Sequence, residues 1–215
     1  MLGCMKIRIQ IRLWQWGNGI RFLTLLAGSA LLGYSAWTTA EQLLHQRTAS
    51  KEFEDQRAEA RALASPASSA TAPMPAIDLA QPFPAKLTIA RLGLNVMVEE
   101  GVGAGTLRKA AGHIPGTASP GHTGNVGVAA HRDTLFRGLK DIHKQDVIQL
   151  STIERDFVYQ VTGVSIVRPS DISVLDPVPG QKTLTLVTCY PFNFIGSAPY
   201  RFIVHANQVA DPRIK

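Results

Sequence analysis

The chain has 215 residues, of which 18% are charged, and its formal net charge is +6. This length allows one folded domain plus an anchor or tail, since a domain usually takes roughly 100–200 residues. Four basic residues lie within the first 40 positions, which contain no Asp or Glu: Lys6, Arg8, Arg12 and Arg21. Because most of the net charge is concentrated there, it indicates membrane topology and argues against a nucleic-acid-binding surface.

Residues 22–40 form an uncharged, largely apolar run that follows the basic segment 1–21. A helix needs about 20 such residues to cross the hydrocarbon core of a bilayer. The run therefore predicts a single transmembrane anchor, and the positive-inside rule predicts a cytoplasmic N-terminus with everything after residue 40 outside. A cleaved signal peptide is the alternative, with the small residues near 36–40 as a weak cleavage site.

The next segment, 41–84, changes character halfway along. Residues 41–64 are rich in Glu, Gln, Arg, Ala and Leu, which favour a helical stalk. Residues 65–84 contain five prolines among Ser, Ala and Thr, a composition typical of an extended linker. The catalytic domain is predicted over 85–210, with a short tail at 211–215.

Within 85–210, short β-branched and apolar runs alternate with Gly, Pro and Asp turns, which is typical of an all-β barrel or sandwich. Short helices are possible over Leu107–Ala111 and Thr134–Ile142. Seven strands are predicted: Leu87–Ile89, Asn95–Val98, Val126–Ala130, Val147–Leu150, Phe157–Val167, Thr183–Thr188 and Phe202–Ala206.

Three residues with catalytic potential lie at the ends of predicted strands. Cys189 follows the strand Thr183–Thr188, His131 follows a strand that ends in two alanines, and Arg201 opens the last strand. The other cysteine, Cys4, lies at the opposite end of the chain, so no disulfide framework exists. Each residue alone has an ordinary reading, as a buried thiol, a loop histidine or a surface charge. Together they provide a nucleophile, a proton carrier and an oxyanion donor.

These residues stand in motifs that resemble the sortase family over 86–209. Thr-Leu-x-Thr-Cys at 185–189 is similar to the family's nucleophile motif, Ala-Ala-His at 129–131 to its histidine strand, and Arg201 occupies the place of its arginine. Gly-His-Ile-Pro-Gly at 112–116 and Cys-Tyr-Pro-Phe at 189–192 resemble the class D branch most closely. The resemblance implies a closed β-barrel of about eight strands.

The resemblance also implies a cysteine transpeptidase that cleaves a Leu-Pro-x-Thr-Gly-like sorting motif and transfers the protein to an amine of the cell envelope or a pilus subunit. Cys189 would be the nucleophile, His131 the acid and base, and Arg201 the oxyanion donor. The expected substrate-binding residues are Thr188, Ala129, Ala130, Tyr190 and Phe192. For Thr188, strand packing is an equal alternative.

Further expectations concern the surroundings of this site. The stretch Arg168–Lys182 is predicted to be a substrate-facing lid and Tyr190–Tyr200 the opposite wall, while Asp133 is a weaker candidate to orient His131. No cofactor or metal is expected, because the acidic residues are too scattered for a calcium site: Glu99, Glu100, Asp171 and Asp176.

Other classes of protein remain open at this point. An L,D-transpeptidase has its cysteine in a Ser-His-Gly-Cys-like context, which Thr188-Cys189-Tyr190 does not resemble. A cysteine protease that only hydrolyses would use the same residues with water as the acceptor. A non-catalytic, membrane-tethered β module would require the three residues to be coincidental.

Overall fold

A computed structural model describes residues 3–63 and 83–209, with side chains from residue 21 onward. The chain divides into two compact units, Met1–Leu44 and His45–Lys215. Most of the predicted linker 65–84 and the tail 211–215 lie outside the described residues.

Helix α1 spans Gly3–Leu63 and includes nearly all of the predicted stalk over 41–64. Within the two described ranges, no helix is both long and apolar enough to cross a membrane, so the predicted span over 22–40 is not confirmed.

Eight strands form a closed barrel in the order β1-β2-β3-β4-β7-β8-β6-β5. Closure leaves no exposed sheet edge. One short helix, α2, spans Ala104–Lys109 and lies between β2 and β3. The strands are β1 Ala85–Ile89, β2 Leu94–Glu100, β3 Ala111–His113, β4 Gly124–Ala129, β5 Val147–Ser151, β6 Asp156–Val167, β7 Lys182–Tyr190 and β8 Tyr200–Val209.

The seven predicted strands are all present, and the eighth is β3. This strand has only three residues and pairs in parallel with β2 and antiparallel with β4. A three-residue strand shows no alternation in the sequence, and its first residue, Ala111, falls at the end of the predicted helix Leu107–Ala111. The helix in this region, α2, starts earlier and ends at Lys109.

The barrel interior is apolar and is filled by alternate residues of each strand. On β7, Leu184 and Leu186 are completely buried, and on β8 Val204 and Ala206 are almost so. This period of two places the intervening residues on the outer face of the sheet. The functional side chains of β7 and β8 therefore lie outside the core, at positions that the core fixes.

Residues 45–63 of α1 pack on the barrel in the second compact unit. Phe53 is only 1% exposed. The Arg57 guanidinium donates to the Asp156 carboxylate at 2.7 Å, and the Gln46 side chain accepts from the backbone N–H of Met97 at 2.9 Å. The sequence pattern indicated a helical stalk but not this contact.

The loop that precedes β5 is held by an ion pair between Arg91 and Asp146. Both carboxylate oxygens of Asp146 accept from the guanidinium, and one also accepts from the backbone N–H of His143 at 2.7 Å. The hydrogen bond from Arg91 lowers the pKa of the Asp146 carboxyl below its ordinary value. The pair therefore stabilises the fold above the unfolded pKa, about 4, and this contribution is lost as the pH falls through the lower folded pKa.

We expect Asp146→Asn to reduce the free energy of unfolding at pH 7 by about 1.5–3 kcal/mol, the usual contribution of hydrogen bonds to charged groups. The difference from the wild type should shrink as the pH falls below about 4, because the carboxyl is protonated first in the unfolded state and in the folded state only at still lower pH. Urea unfolding at pH 7, 5, 4 and 3 measures this. Asp55→Asn, at an exposed position of α1, is the matched control and should have little effect at any of these pH values. A constant difference over the whole range would contradict the ion pair.

Candidate active site

Cys189 is half-buried near the end of β7, and the strand register places it opposite Arg201 of β8. Directly opposed residues of an antiparallel pair share one face of the sheet. Both are out of phase with the core residues Leu186 and Val204, so they lie on the outer face. A single pair of neighbouring strands therefore brings the two residues together.

His131 reaches the same mouth of the barrel from β4, which pairs in parallel with β7. The last register pair joins Ala129 to Val187, and the backbone N–H of Ala130 donates to the carbonyl of Val187 at 3.2 Å. Two residues beyond this register pair, His131 follows β4 and Cys189 lies on β7, so the two residues are level with each other. The imidazole is exposed, so it can reach a molecule that enters from solvent.

The three residues line one open cleft of about 320 Å³. Arg132 and Asp133 line it beside His131. The far side is formed by the β7–β8 loop through Gly196, Ser197 and Ala198. Within the described part of the chain, the His131 ring has no carboxylate within hydrogen-bond distance, so orientation of the ring by Asp133 stays a prediction.

Arg201 is partly engaged by its own segment. Its Nη1 donates to the carbonyl oxygens of Tyr200 at 3.0 Å and Ala198 at 3.3 Å. A guanidinium has five N–H donors in a planar fork, so donors remain for a group in the cleft. The local contacts hold the side chain at the mouth, and the remaining donors can stabilise negative charge there.

The five residues predicted to bind substrate lie beside the cleft and are not among its lining residues. Tyr190 and Phe192 pack with Phe202, at ring-centroid distances of 6.2 and 5.2 Å. Ala129 is half-buried and Ala130 is buried. Direct contact of these side chains with substrate stays a prediction.

Thr188 is 2% exposed, and its hydroxyl donates to the carbonyl of Ala130 at 2.7 Å. This bond ties the nucleophile strand to the segment that carries His131. The hydroxyl thus has a partner within the fold, and its contact with substrate stays a prediction.

We expect Thr188→Val, which keeps the side-chain shape, to leave the buried Ala130 carbonyl unsatisfied and to cost about 1–3 kcal/mol of stability. Urea unfolding measures the loss. Thr162→Val is the matched control, because its hydroxyl bonds to a backbone carbonyl at an exposed position. An equal effect of the two substitutions would contradict the special position of Thr188.

The two predicted walls differ in what they contact. In the stretch Arg168–Lys182, the Val174 carbonyl accepts from Asn125 at 3.2 Å and from Thr185 at 3.4 Å, so this stretch covers the outer face of β4 and β7. None of its residues lines the 320 Å³ cleft. The stretch Tyr190–Tyr200 forms one wall of the cleft, as its position in the sequence predicted.

The described residues contain no group of three or more His, Cys, Asp or Glu that could hold a metal ion. Of the scattered acidic residues, Glu99 bonds to His45 at 2.8 Å and Glu100 to His113 at 2.8 Å. A second cavity, of about 150 Å³, lies at the opposite mouth of the barrel, with His122 in its lining.

The fold and the site together indicate the class of protein. A closed β-barrel with a thiol, an imidazole and a guanidinium in one solvent-open cleft has the groups that a cysteine acyltransferase needs. The family model of the sortase domain matches residues 87–209. Over 123 residues, the chain is 32% identical to Sortase D of Bacillus subtilis, a match that covers 57% of this chain and 62% of the relative. It is 35% identical over 150 residues to Sortase SrtE1 of Streptomyces coelicolor, covering 61% and 42%.

The chain is also similar to solved structures of sortases. The crystal structure of Sortase E1 from Streptomyces coelicolor with a tripeptide in the active site is 33% identical, with a TM-score of 0.54 over 59% of this chain and 88% of that chain. A Sortase D5 transpeptidase of Clostridium perfringens shares the fold, at 24% identity and a TM-score of 0.58, over 80% and 99% of the two chains. The chain belongs to the sortase family, whose members are cysteine transpeptidases. It spans less than two thirds of the curated relatives' lengths.

Proposed function

We propose that this chain is a transpeptidase that cleaves a sorting motif through a Cys189 thioester and transfers the acyl group to an amine. The observation that supports this most strongly is the convergence of Cys189, His131 and Arg201 on one cleft, with Cys189 and Arg201 directly opposed across β7 and β8. A scaffold module has no need of these three groups at one mouth of the barrel.

In the first half-reaction, the Cys189 thiolate attacks the carbonyl carbon of the motif's Thr. The carbonyl electrons move to oxygen, and Arg201 stabilises the resulting oxyanion by donating N–H groups. When the tetrahedral intermediate collapses, the C–N bond breaks and the protonated His131 gives its proton to the leaving amine. The products are a thioester on Cys189 and the released C-terminal fragment.

In the second half-reaction, an incoming amine attacks the thioester carbonyl. His131, now neutral, accepts a proton from the amine nitrogen as the C–N bond forms. The thiolate of Cys189 then leaves, which restores the starting state of the enzyme. Water in place of the amine would give a free acid, so the acceptor decides between transfer and hydrolysis.

We propose a Leu-Pro-x-Thr-Gly-like motif as the acyl donor, and a peptidoglycan precursor or a pilin lysine as the amine. The open cleft supports a peptide that lies along the surface, and the class D-like motifs at 112–116 and 189–192 support a sorting substrate. Sortase D of Bacillus subtilis is among the chain's relatives.

We further propose that residues 22–40 anchor the chain in the cell membrane, with the N-terminus in the cytoplasm and the catalytic domain outside. The support is the uncharged run itself and the four basic residues that precede it. Single cysteines placed at position 10 or 60 of a parent that carries Cys4→Ala and Cys189→Ala, labelled in whole cells with a membrane-impermeant reagent, test this topology. Labelling at position 10, or no labelling at position 60, would contradict it.

The function is tested with the full-length chain carrying Cys4→Ala, in which Cys189 is the only thiol. The protein is incubated with a Leu-Pro-x-Thr-Gly peptide library and an amine acceptor, and intact-mass spectrometry follows adducts and products. An acyl adduct and a product joined to the amine are expected. Free acid alone would favour a hydrolase. If the protein remains unmodified with every peptide in the library, the proposal is overturned. A fragment starting at Ala85 is less suitable, since it lacks the residues of α1 that pack on the barrel.

A further inference from the structure

Arg132, the residue after the candidate catalytic histidine, bonds to the opposite wall of the cleft. Its Nη2 donates to the carbonyl of Phe194 at 2.6 Å and to that of Gly196 at 3.3 Å. Its guanidinium carbon lies 5.9 Å from the centroid of the Phe194 ring, which is within cation–π range. One side chain thus makes three contacts with the β7–β8 loop.

Arg132 is half-buried, and its hydrogen bonds to the loop are exposed. Its Nη1 is buried, with no hydrogen-bond partner among the described residues. In a surface arginine the charged head stays in water, whereas here one nitrogen of the head is removed from water. Enclosing an N–H group without a partner costs free energy, so the contacts with the loop must offset that cost.

The two ends of the loop are held by Phe192, which packs with Phe202, and by the Ala198 carbonyl, which accepts from Arg201, but the side chains at its tip are exposed. Ile195 is 97% exposed and Phe194 is 43% exposed, so neither side chain is anchored in the core. Gly196 has a φ of 99°, a left-handed conformation that favours glycine. The carbonyls that flank Ile195 are the groups that Arg132 holds, and Gly196 itself lines the cleft.

We infer that Arg132 is a positioning residue, which ties the β7–β8 loop to the histidine segment and so sets the cleft wall that binds the acyl-donor peptide. This inference rests on the proposed function for its substrate. It assigns Arg132 a part in peptide binding and not in the chemical steps, since its contacts are with the wall and not with Cys189 or Arg201. Loss of the tie should weaken binding of the peptide and leave the reacting groups in place.

The test compares Arg132→Ala, Arg132→Lys and wild type in the full-length chain. For Arg132→Ala we expect the KM of the peptide to rise about 10–100-fold, as for the loss of one or two charge-assisted hydrogen bonds, with kcat within about threefold. Arg132→Lys should recover part of the loss, because an ammonium can bond to one carbonyl but lacks the planar fork. The exposed Arg137→Gln, outside the cleft, is the control and should match the wild type.

Hydrogen exchange of residues 190–200 is the second readout, and it needs no substrate. We expect faster exchange of this loop in Arg132→Ala and unchanged exchange in Arg137→Gln. Unchanged loop exchange, or a loss confined to kcat, would overturn the inference. A wild-type enzyme that acts on no peptide would overturn the proposed function and the assigned role in peptide binding, while the exchange result would still show whether Arg132 holds the loop.

Discussion

Replacing Cys189 by alanine is expected to abolish both the acyl adduct and the joined product, with a loss of at least about 10⁴-fold in transfer rate. The thiolate is the only group in the cleft that can form the thioester, and neither His131 nor Arg201 can replace it. The parent for this comparison carries Cys4→Ala, so that every thiol adduct reports on Cys189. Intact-mass spectrometry and chromatography of the peptide products measure the loss.

The parent itself serves as the control for this substitution, because Cys4→Ala should keep full activity. Thermal unfolding of Cys189→Ala should resemble that of the parent, since the thiol is only half-buried and has no core role. Product formation by Cys189→Ala within tenfold of the parent would rule out the thioester route.

The second large effect is expected for His131→Ala, which should lower kcat/KM by about 10²–10⁴-fold, the usual contribution of a general acid or base. Its imidazole is the candidate for protonating the leaving amine and for deprotonating the acceptor. Added imidazole should restore part of the rate of the variant. Steady-state kinetics over pH 5–9, with and without imidazole, measure both.

His122→Gln is the matched control for this histidine, because His122 lies at the opposite mouth of the barrel. It should keep the activity and the pH profile of the wild type. If His131→Ala retained more than a third of the wild-type rate at every pH, proton transfer would have to be assigned to another group.

Some elements were predictable because their signals are local. Along Thr183–Thr188 the residues alternate with the period of two that is typical of a strand with one buried and one exposed face. Cys189 follows directly at the end of this run. The motifs at 129–131 and 185–189 allowed the family to be recognised, and the family model confirms it over 87–209. Arg201 needed one step more, the assumption that β7 and β8 pair as antiparallel neighbours.

Other elements had no local signal. Strand β3 is three residues long, and its pairing with β2 and β4 depends on partners outside its own segment. Phe53 lies in a mainly polar stretch of α1, yet it is 1% exposed. Both become visible only when distant parts of the chain are brought together.

The sequence by itself determined seven of the eight strands of this protein, its family, and the identity of the thiol, imidazole and guanidinium. Each of these is encoded in a few neighbouring residues. The tertiary structure decided which distant groups meet at the cleft and beside it: Arg132 meets the carbonyl of Phe194 across 62 positions of sequence, and Thr188 meets that of Ala130 across 58. Such contacts depend on the register between strands, which closure of the barrel sets and which local propensity does not encode.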